Sequence, residues 1–301
     1  MTSPALAHDT DRGRMYSRSL SEQPTVPSIT TVISQAPSSL DWWFSQMAAK
    51  SMARDPRLAD AVSDPSRMGI IVKEAALAAE RHRDTAAQRG DRVHTYCEQV
   101  ALRALDRPNT LGLAREALAA HGEEAFAARF DEWWTAYGVQ PIEPEITVWN
   151  AEVGYAGTLD LVARIGGRTC LIDYKTKGTD RYGAVKPLDA KVVMQLVAGM
   201  KAQESLVDAA SGTWEPWKHG EDPILLGVAV GETEVRPMRA NPEVLKHHWH
   251  KFYALRRVWE TSGVSAVAGA ALLPIAPPRP AAAPVAPAPE PVAVSSAGPD
   301  K

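Results

Sequence analysis

The stretch "GTLDLVARIGGRTCLIDYKTK", Gly157 to Lys177, predicts a β-hairpin. Apolar and β-branched residues alternate with polar ones on both sides of Gly166-Gly167. A glycine pair between two such runs is typical of a two-residue hairpin turn, because both positions favour a positive φ. The stretch therefore predicts two paired strands that carry several ionisable residues next to strand-forming apolar ones.

A turn centred on the two glycines places Asp160 opposite Asp173, with Cβ atoms ~5 Å apart. Like charges in that position destabilise a hairpin, and a divalent cation held by carboxylate oxygens removes the repulsion. Lys175 follows Asp173 by two positions and therefore points to the same face of its strand. The side chain of Tyr174 points to the other face, but its backbone carbonyl is a further candidate metal ligand.

Two carboxylates and an ammonium on one face suit phosphodiester hydrolysis. A carboxylate-bound Mg²⁺ or Mn²⁺ lowers the pKa of a bound water and neutralises charge on the phosphate oxygens. Lys175 can orient that water or stabilise the same charge. The alternative is a surface hairpin with an Asp173–Lys175 salt bridge, which an isolated D-x-K tripeptide favours.

The segments around the hairpin alternate between helical and extended patterns. Helices are predicted within 37–52, 65–106, 123–138, 187–205 and 241–260, and strands within 143–177, 223–230 and 233–239. Ser38 or Ser39 is the expected N-cap of the first helix, and Asn241 that of the last. This order predicts an α/β or α+β fold, with a mixed central sheet flanked by helices and a helical region before it.

Composition divides the chain into three parts. Residues 1–24 are polar and lack periodicity, which predicts a disordered leader. Residues 25–264 form the predicted compact domain, with a helical part at 25–138 and a sheet-containing core at 139–264. Residues 265–301 are rich in Pro and Ala and predict an extended, disordered tail. A solvated spacer is the first interpretation of this tail, and a docking segment for a protein partner is the second.

Charge and cysteine content exclude several classes of protein. The formal net charge of −3 over 301 residues argues against a general polyanion binder. Cys97 and Cys170 are too few for a disulfide framework or a four-thiolate cluster, and they fit a reducing cytoplasm. The sequence has neither a signal-peptide pattern nor an apolar run long enough to span a bilayer. We therefore expect a cytoplasmic protein without membrane contact.

The motifs "GTLDLVA" and "LIDYKTK", followed by Gln195 in a predicted helix, resemble the PD-(D/E)XK nuclease superfamily. The resemblance is to its RecB-like branch, which includes nuclease domains of bacterial recombination helicases and CRISPR-associated or phage-borne exonucleases. Upstream, "RGDRVH" matches the G-x-x-x-H pattern of that branch, and Leu159-Asp160 stands where the superfamily has Pro-Asp. The resemblance covers about residues 25–260 and implies a restriction-endonuclease-like core.

The resemblance implies a role for each matching residue. His94, Asp160 and Asp173 would be metal ligands, together with the backbone carbonyl of Tyr174. Lys175 would be the catalytic lysine, and the metal would be Mg²⁺ or Mn²⁺.

Three further positions carry weaker implications. Gln195 matches the first residue of the Q-x-x-x-Y motif and would position Lys175 or the substrate, but Gly199 replaces the tyrosine. Glu145 matches a glutamate that often precedes the hairpin, and an exposed strand-end acid is the alternative. Glu98 lies one turn after His94 and would orient it, unless it is an ordinary surface residue.

Many CRISPR-associated members of the branch carry four cysteines that hold an iron–sulfur cluster. This chain has two, so we expect no iron–sulfur cluster.

Cationic and aromatic side chains near the motifs are the candidate substrate contacts. They are Arg89, Arg92, Lys177, Arg181, Tyr182 and Lys186. The arginines precede His94 on a predicted helix, and a solvated helix face is their alternative role. The loop 178–191 follows Lys175, and its glycines and cations predict a segment that is poorly ordered without DNA. A plain surface loop is the alternative.

These observations predict a metal-dependent DNA nuclease that acts on single-stranded DNA or duplex ends, in recombination, repair or a phage. The resemblance alone favours an exonuclease. The alternatives are an endonuclease of the same fold and a catalytically silent protein of that fold that binds DNA or a partner. Retention of all four motif residues, His94, Asp160, Asp173 and Lys175, argues against the silent alternative.

Overall fold

A computed structural model describes residues 4–37 and 40–277 of the chain. They form a central sheet with helices on both faces and a small second sheet near the N-terminus. The strands are β1 Ala7–Thr10, β2 Gly13–Tyr16, β3 Val26–Pro27, β4 Gln140–Asn150, β5 Tyr155–Ile165, β6 Arg168–Thr176, β7 Glu204–Asp208, β8 Thr213–Pro216, β9 Ile224–Val230 and β10 Val235–Arg239. The helices are α1 Ile29–Ile33, α2 Asp41–Ala53, α3 Leu58–Ala61, α4 Pro65–Ala76, α5 Ala78–Ala104, α6 Leu111–Ala119, α7 Glu124–Ala136, α8 Lys191–Met200 and α9 Leu245–Val267.

The central sheet has seven strands in the order β10-β9-β6-β5-β4-β7-β8. Strands β6 and β9 run parallel, and the other neighbours in the sheet run antiparallel. The helix α8 lies between β6 and β9 in the chain, as a crossover between parallel strands requires. The predicted α/β (α+β) fold, with a mixed central sheet flanked by helices and a helical region before it, is confirmed.

The predicted hairpin forms in the predicted register. Gly166 and Gly167 have φ values of 56° and 78°, which explains why glycine suits both turn positions. The pairs between β5 and β6 run from Ile165–Arg168 to Leu161–Ile172. Beyond that last pair β6 continues beside β9 as far as Thr176. Asp160 and Asp173 therefore lie one step beyond the paired part, where the two strands separate.

Alternate residues of β5 and β6 enter two different cores. Ile172 and Tyr174 pack with residues of α5, α6 and α7 on one face of the sheet. Leu171 and Val162 pack with residues of α1, α8 and α9 on the other face. Because helices cover both faces, Asp173 lies in the interior with only 3% of its surface exposed.

The prediction of a disordered leader is wrong for residues 4–24, and residues 1–3 lie outside the described residues. Strands β1 and β2 pair through a turn at Asp11-Arg12 and form a small sheet with β3. Leu6 and Tyr16 are buried against Trp149 and Ala156 of the central sheet. A few apolar side chains docked onto another element are enough to order the segment, although its own composition is polar.

Other predicted boundaries shift by a few residues. The helix α8 begins at Lys191, several residues after Pro187. The final helix α9 extends to Val267, beyond the predicted end of the helix at 260 and of the domain at 264. The Asn241 side chain accepts from the Glu243 N–H, as expected for an N-cap. Strands β7 and β8 were not predicted.

Two predictions fall partly or wholly on residues that the structure does not describe. The cap assigned to Ser38 or Ser39 lies outside the described residues, and Leu40 occupies the N-cap position of α2. Residues 278–301 of the predicted tail also lie outside the described residues. Within residues 4–37 and 40–277, no helix is both long enough and apolar enough to cross a membrane.

Candidate active site

A cavity of about 160 Å³ opens where β5 and β6 separate. It combines side chains from the hairpin, from α5, α8 and β4, and from the N-terminal segment. Its lining residues are Pro4, Arg14, Tyr16, Ser28, Ile29, Thr30, His94, Glu145, Gly157, Thr158, Asp160, Lys175 and Gln195. The structure thus brings together five of the predicted site residues, His94, Glu145, Asp160, Lys175 and Gln195, in one cavity.

Asp173 lies directly behind the cavity wall and contacts Lys175. The Lys175 Nζ atom lies 2.8 Å from Oδ1 and 2.6 Å from Oδ2 of Asp173. Only the Oδ1 contact has hydrogen-bond geometry, so Oδ2 is buried without a hydrogen-bond partner among the described residues. The pKa of Asp173 is raised to about 6, chiefly by burial, with Lys175 opposing the shift and the nearby Asp160 carboxylate adding to it.

The pKa of Lys175 is also shifted by this arrangement. Burial acts to lower it, but the carboxylates of Asp173 and Asp160 outweigh burial, so the pKa of Lys175 is raised. About a third of the Lys175 side chain, 32%, stays exposed to the cavity. Lys175 is therefore a charged ammonium at neutral pH, fixed by Asp173 and accessible to a ligand.

Asp160 connects the hairpin to α5. Its Oδ2 atom accepts a hydrogen bond from the backbone N–H of Tyr174 at 2.6 Å. Its Oδ1 atom lies 3.7 Å from Nδ1 of His94. The His94 ring packs edge-on against the Tyr174 ring, with centroids 6.2 Å apart. Tyr174 thus contacts Asp160 through its backbone N–H and His94 through its ring.

Glu145 joins the site from β4 in a strained backbone conformation. Its φ of 50° lies in the left-handed region, which costs free energy for a residue other than glycine. Burial, followed by the nearby carboxylates of Asp160 and Glu98, raises the pKa of Glu145 to about 9. Glu98 itself is buried on α5. The structure thus favours Glu145 and Glu98 as members of the acidic cluster over the alternative of exposed surface acids.

The donor set fits a hard divalent cation in its chemistry. Carboxylate oxygens of Asp160, Asp173 and Glu145 are the ligands that Mg²⁺ and Mn²⁺ prefer, with the His94 imidazole beside them. The raised pKa values of Glu145 and Asp173 reflect burial and mutual repulsion that a cation would relieve. Within the described residues no three His, Cys, Asp or Glu side chains already enclose a metal position. The Lys175 ammonium faces both oxygens of Asp173 instead.

The two thiols of the chain lie in the interior. Cys97 and Cys170 are both buried, and burial raises the pKa of each. The expected lack of an iron–sulfur cluster stays a prediction.

Gln195 and Gly199 lie one turn apart on α8, which packs against β5. The Gln195 side chain lines the cavity beside Lys175, as the resemblance implied. A Cβ atom at Gly199 would lie 2.5 Å from Cδ2 of Leu159, so α8 approaches the sheet too closely for a side chain there. The lack of a tyrosine at position 199 thus has a packing cause.

We expect Gly199→Ala to lower the free energy of unfolding by about 1–3 kcal/mol, because it overpacks a buried helix–sheet contact. Urea unfolding measures the change. Gly69→Ala on α4 is the matched control, since a Cβ atom there meets nothing within 4 Å. That control should gain up to about 1 kcal/mol from helix propensity. A Gly199→Ala protein as stable as the control would contradict the close packing.

The N-terminal segment supplies residues that the sequence interpretation did not assign to the site. Arg14, Tyr16, Ser28 and Thr30 form part of the cavity wall. The Tyr16 hydroxyl lies 3.0 Å from the hydroxyl of Thr158, which fixes this wall to β5. The turn-forming run Asp11-Arg12-Gly13, between two short polar strands, is the sequence signal that could have predicted this part of the site.

A second cavity of about 230 Å³ shares Thr30, Lys175 and Gln195 with the first. It carries two more cations, Lys177 and Lys191. The two cavities together form a groove that leads from the carboxylates to a positively charged end. Lys177 therefore lies in the cavity next to Lys175, and its contact with the substrate stays a prediction.

Arg89 and Arg92 both form structural ion pairs with Glu123. Both donate to Glu123 at the start of α7, Arg89 at 3.1 Å and Arg92 at 2.7 Å, and only 5% of the Glu123 side chain is exposed. These contacts join α5 to α7. The structure does not place either arginine on the walls of the two cavities.

The pair predicts a pH-dependent contribution to stability. Arg92 first, and then Arg89, hold the pKa of Glu123 below its usual value, although burial opposes them. Its contribution is therefore present above the unfolded pKa of about 4.3 and disappears as the pH falls through the lower folded pKa. We expect Glu123→Gln to lower the free energy of unfolding by about 1–3 kcal/mol at neutral pH.

Urea unfolding at neutral pH and below about pH 4 measures this difference. Glu124→Gln, at an exposed neighbouring position, is the control. If Glu123→Gln lowered the free energy of unfolding by the same amount at both pH values, the charge of Glu123 would not be the cause.

The prediction that the loop 178–191 is poorly ordered is wrong. Thr179 and Val185 form a β-bridge, and Val185 is buried with 1% exposure. Its N–H donates to Glu234, and its carbonyl accepts from Arg236. The sequence interpretation overlooked Val185 as an apolar anchor. These contacts across the β9–β10 connection fix the loop.

The remaining predicted contacts lie on that loop. Arg181 and Tyr182 are exposed, and the Arg181 guanidinium stacks 4.6 Å above the Tyr182 ring. Lys186 faces a different cavity, beside β10. The structure therefore does not bring these three residues onto the walls of the carboxylate cavity.

Comparisons with known proteins identify no family. No family model matches the chain, and no curated protein matches it. Among the solved structures it is similar to one titled "Crystal structure of SSO0001". That alignment covers 61% of this chain and 85% of the other at 14% identity, with a TM-score of 0.24. A similarity at this level carries no argument about fold or function.

Proposed function

We propose that the protein is a metal-dependent DNA nuclease of the RecB-like PD-(D/E)XK type, with a restriction-endonuclease-like core. The observation that carries the proposal is the arrangement of Asp160, Asp173 and Lys175 at the point where β5 and β6 separate, with His94 3.7 Å from Asp160. Burying several acids together costs free energy, and this argues that the cluster has a function.

Each side chain has a defined role in this proposal. Asp160, Asp173, Glu145 and His94 would hold Mg²⁺ or Mn²⁺, with the Tyr174 carbonyl as a further ligand. A bound ion supplies an acidified water and charge neutralisation at the phosphate. Lys175 donates hydrogen bonds from its ammonium to the attacking water or to a phosphate oxygen.

Residues around the cluster would position the substrate. Gln195 lies beside Lys175 and would orient it or a phosphate oxygen. Lys177 and Lys191, at the far end of the groove, would contact a neighbouring phosphate of the same strand.

The finer assignment is an exonuclease that acts on DNA ends, and it rests on the resemblance. An endonuclease of the same fold and a silent DNA-binding or partner-binding protein are the alternatives. The buried Asp173–Lys175 pair favours a catalytic protein over a silent one, since a pair kept only for stability could be replaced by apolar residues.

Digestion of three DNA substrates with Mg²⁺ or Mn²⁺, with EDTA as control, tests the proposal. The substrates are end-labelled single-stranded DNA, end-labelled duplex DNA and covalently closed circular DNA. We expect metal-dependent release of short products from linear DNA and an intact circle. Nicking of the circle would identify an endonuclease. A mobility shift without cleavage of any substrate would identify a silent DNA-binding protein.

A further inference from the structure

A mainly apolar cavity lies away from the carboxylates, between α8 and the edge strand β10. Its volume is about 350 Å³, within the range of sites that bind ligands. Leu188, Val192 and Leu196 line one wall, and Ala229 and Met238 of the sheet line the other. The cavity shares Asp189 and Val192 with the groove that holds Lys191, so an occupant would lie next to the proposed nuclease site and outside it.

Cations surround this apolar cavity. Lys186, Arg236 and Arg239 are exposed at its rim. One guanidinium N–H of Arg236 donates to the carbonyl of Val185, which fixes the group and leaves further N–H groups for an anion. The rim also includes Asp189, whose Oδ1 accepts from the N–H of Lys191 at the start of α8.

His248 adds a polar group to the same wall. Its Nδ1 atom is buried and has no hydrogen-bond partner within residues 4–37 and 40–277. Burial, together with Lys251 and His247, lowers its pKa, so the ring is neutral at pH 7. An unpaired ring nitrogen beside an apolar cavity is suited to a hydrogen bond with a bound molecule.

The charges and the lining distinguish between kinds of occupant. Three cations on separate positions match several negative charges, whereas a fatty acid offers one. A nucleotide offers several charges, but base binding relies on aromatic stacking, and within residues 4–37 and 40–277 the lining has no Phe, Tyr or Trp ring and is mainly apolar around His248. An acidic peptide with an aliphatic side chain satisfies both the rim and the interior.

We propose that this cavity is a docking site for an acidic, aliphatic peptide segment of a partner protein. The aliphatic side chain fills the space between α8 and β10, and flanking carboxylates bind Arg239, Arg236 and Lys186. Pro237 removes one N–H from the edge strand, so recognition depends on side chains rather than on an added β-strand. The site would tether the protein to a partner without blocking the groove.

Fluorescence anisotropy with a labelled peptide, Glu-Asp-Leu-Leu-Asp-Glu, tests this proposal. Arg239→Glu reverses a rim charge, and Ala190→Trp fills the mouth of the cavity from an exposed position. Arg107→Glu makes the same charge change at an exposed site elsewhere and is the control. Melting temperatures first establish that all three variants are folded.

We expect saturable binding to the unchanged protein and to Arg107→Glu. Arg239→Glu and Ala190→Trp should each weaken binding by about tenfold or more. A peptide with Ser in place of Leu should bind similarly weakly. Lack of saturation, or equal binding by all variants, would overturn the proposal. Displacement of the peptide by octanoate at equal concentration would overturn it too, and would indicate a lipid site. None of these results depends on DNA cleavage.

Discussion

Replacing Asp160 with Asn should abolish DNA cleavage, with a loss of about 10²-fold or more, and leave the fold intact. The substitution removes a carboxylate from the cluster that would hold the metal. The amide oxygen of the introduced asparagine can still accept from the Tyr174 N–H, which the Asp160 carboxylate accepts at 2.6 Å. The change also removes a charge that raises the pKa of both Glu145 and Asp173. The melting temperature without metal should therefore stay the same or rise.

Thermal melts with and without Mn²⁺ measure the second part of this prediction. The unchanged protein should gain stability from Mn²⁺ by ligand linkage, and Asp160→Asn should lose most of that gain. Asp84→Asn, at an exposed position on α5, is the control and should behave like the unchanged protein. Full Mn²⁺ stabilisation in Asp160→Asn would remove Asp160 from the site.

Lys175→Ala should also lower turnover by about 10²-fold or more, because it removes a preorganised positive group next to the phosphate position. Unlike Asp160→Asn, Lys175→Ala should leave metal binding intact. An ammonium is not a metal ligand, so Mn²⁺ affinity should survive. Without metal the protein should be less stable, because buried Asp173 loses the partner that lies 2.6 Å away.

Isothermal titration with Mn²⁺ distinguishes the two roles, and Lys246→Ala, at an exposed position on α9, is the matched control. Saturating Mn²⁺ should stabilise Lys175→Ala more than it stabilises the unchanged protein, because the cation replaces the lost charge. If metal affinity were lost together with activity, Lys175 would have a structural role in the site.

The central hairpin was predictable because local chemistry determines it. Gly166-Gly167 fixes the turn, the turn fixes the register, and the register fixes which side chains share a face. The same logic placed Lys175 beside Asp173. The hairpin pattern did not reveal that β6 leaves β5 after Ile172, since that separation depends on pairing with β9.

The parts that sequence reasoning missed depend on contacts between distant segments. Tyr16 docks onto Thr158, far along the chain, and this orders a segment whose own composition is polar. Arg92 was predicted to bind substrate from its charge, but it binds Glu123, which the sequence separates from it by a full helix. Val185 is a single apolar residue in a polar loop, and its burial depends on the β9–β10 connection. Local pattern carries no information on such pairings.

The most direct test of the proposed activity is release of the label from end-labelled linear DNA in the presence of Mn²⁺. The unchanged protein and Asp160→Asn should be compared in parallel, each with an EDTA control. The account predicts metal-dependent release by the unchanged protein and none by Asp160→Asn or in EDTA. Intact DNA with the unchanged, folded protein in Mn²⁺ and in Mg²⁺, or equal release by Asp160→Asn, would contradict it.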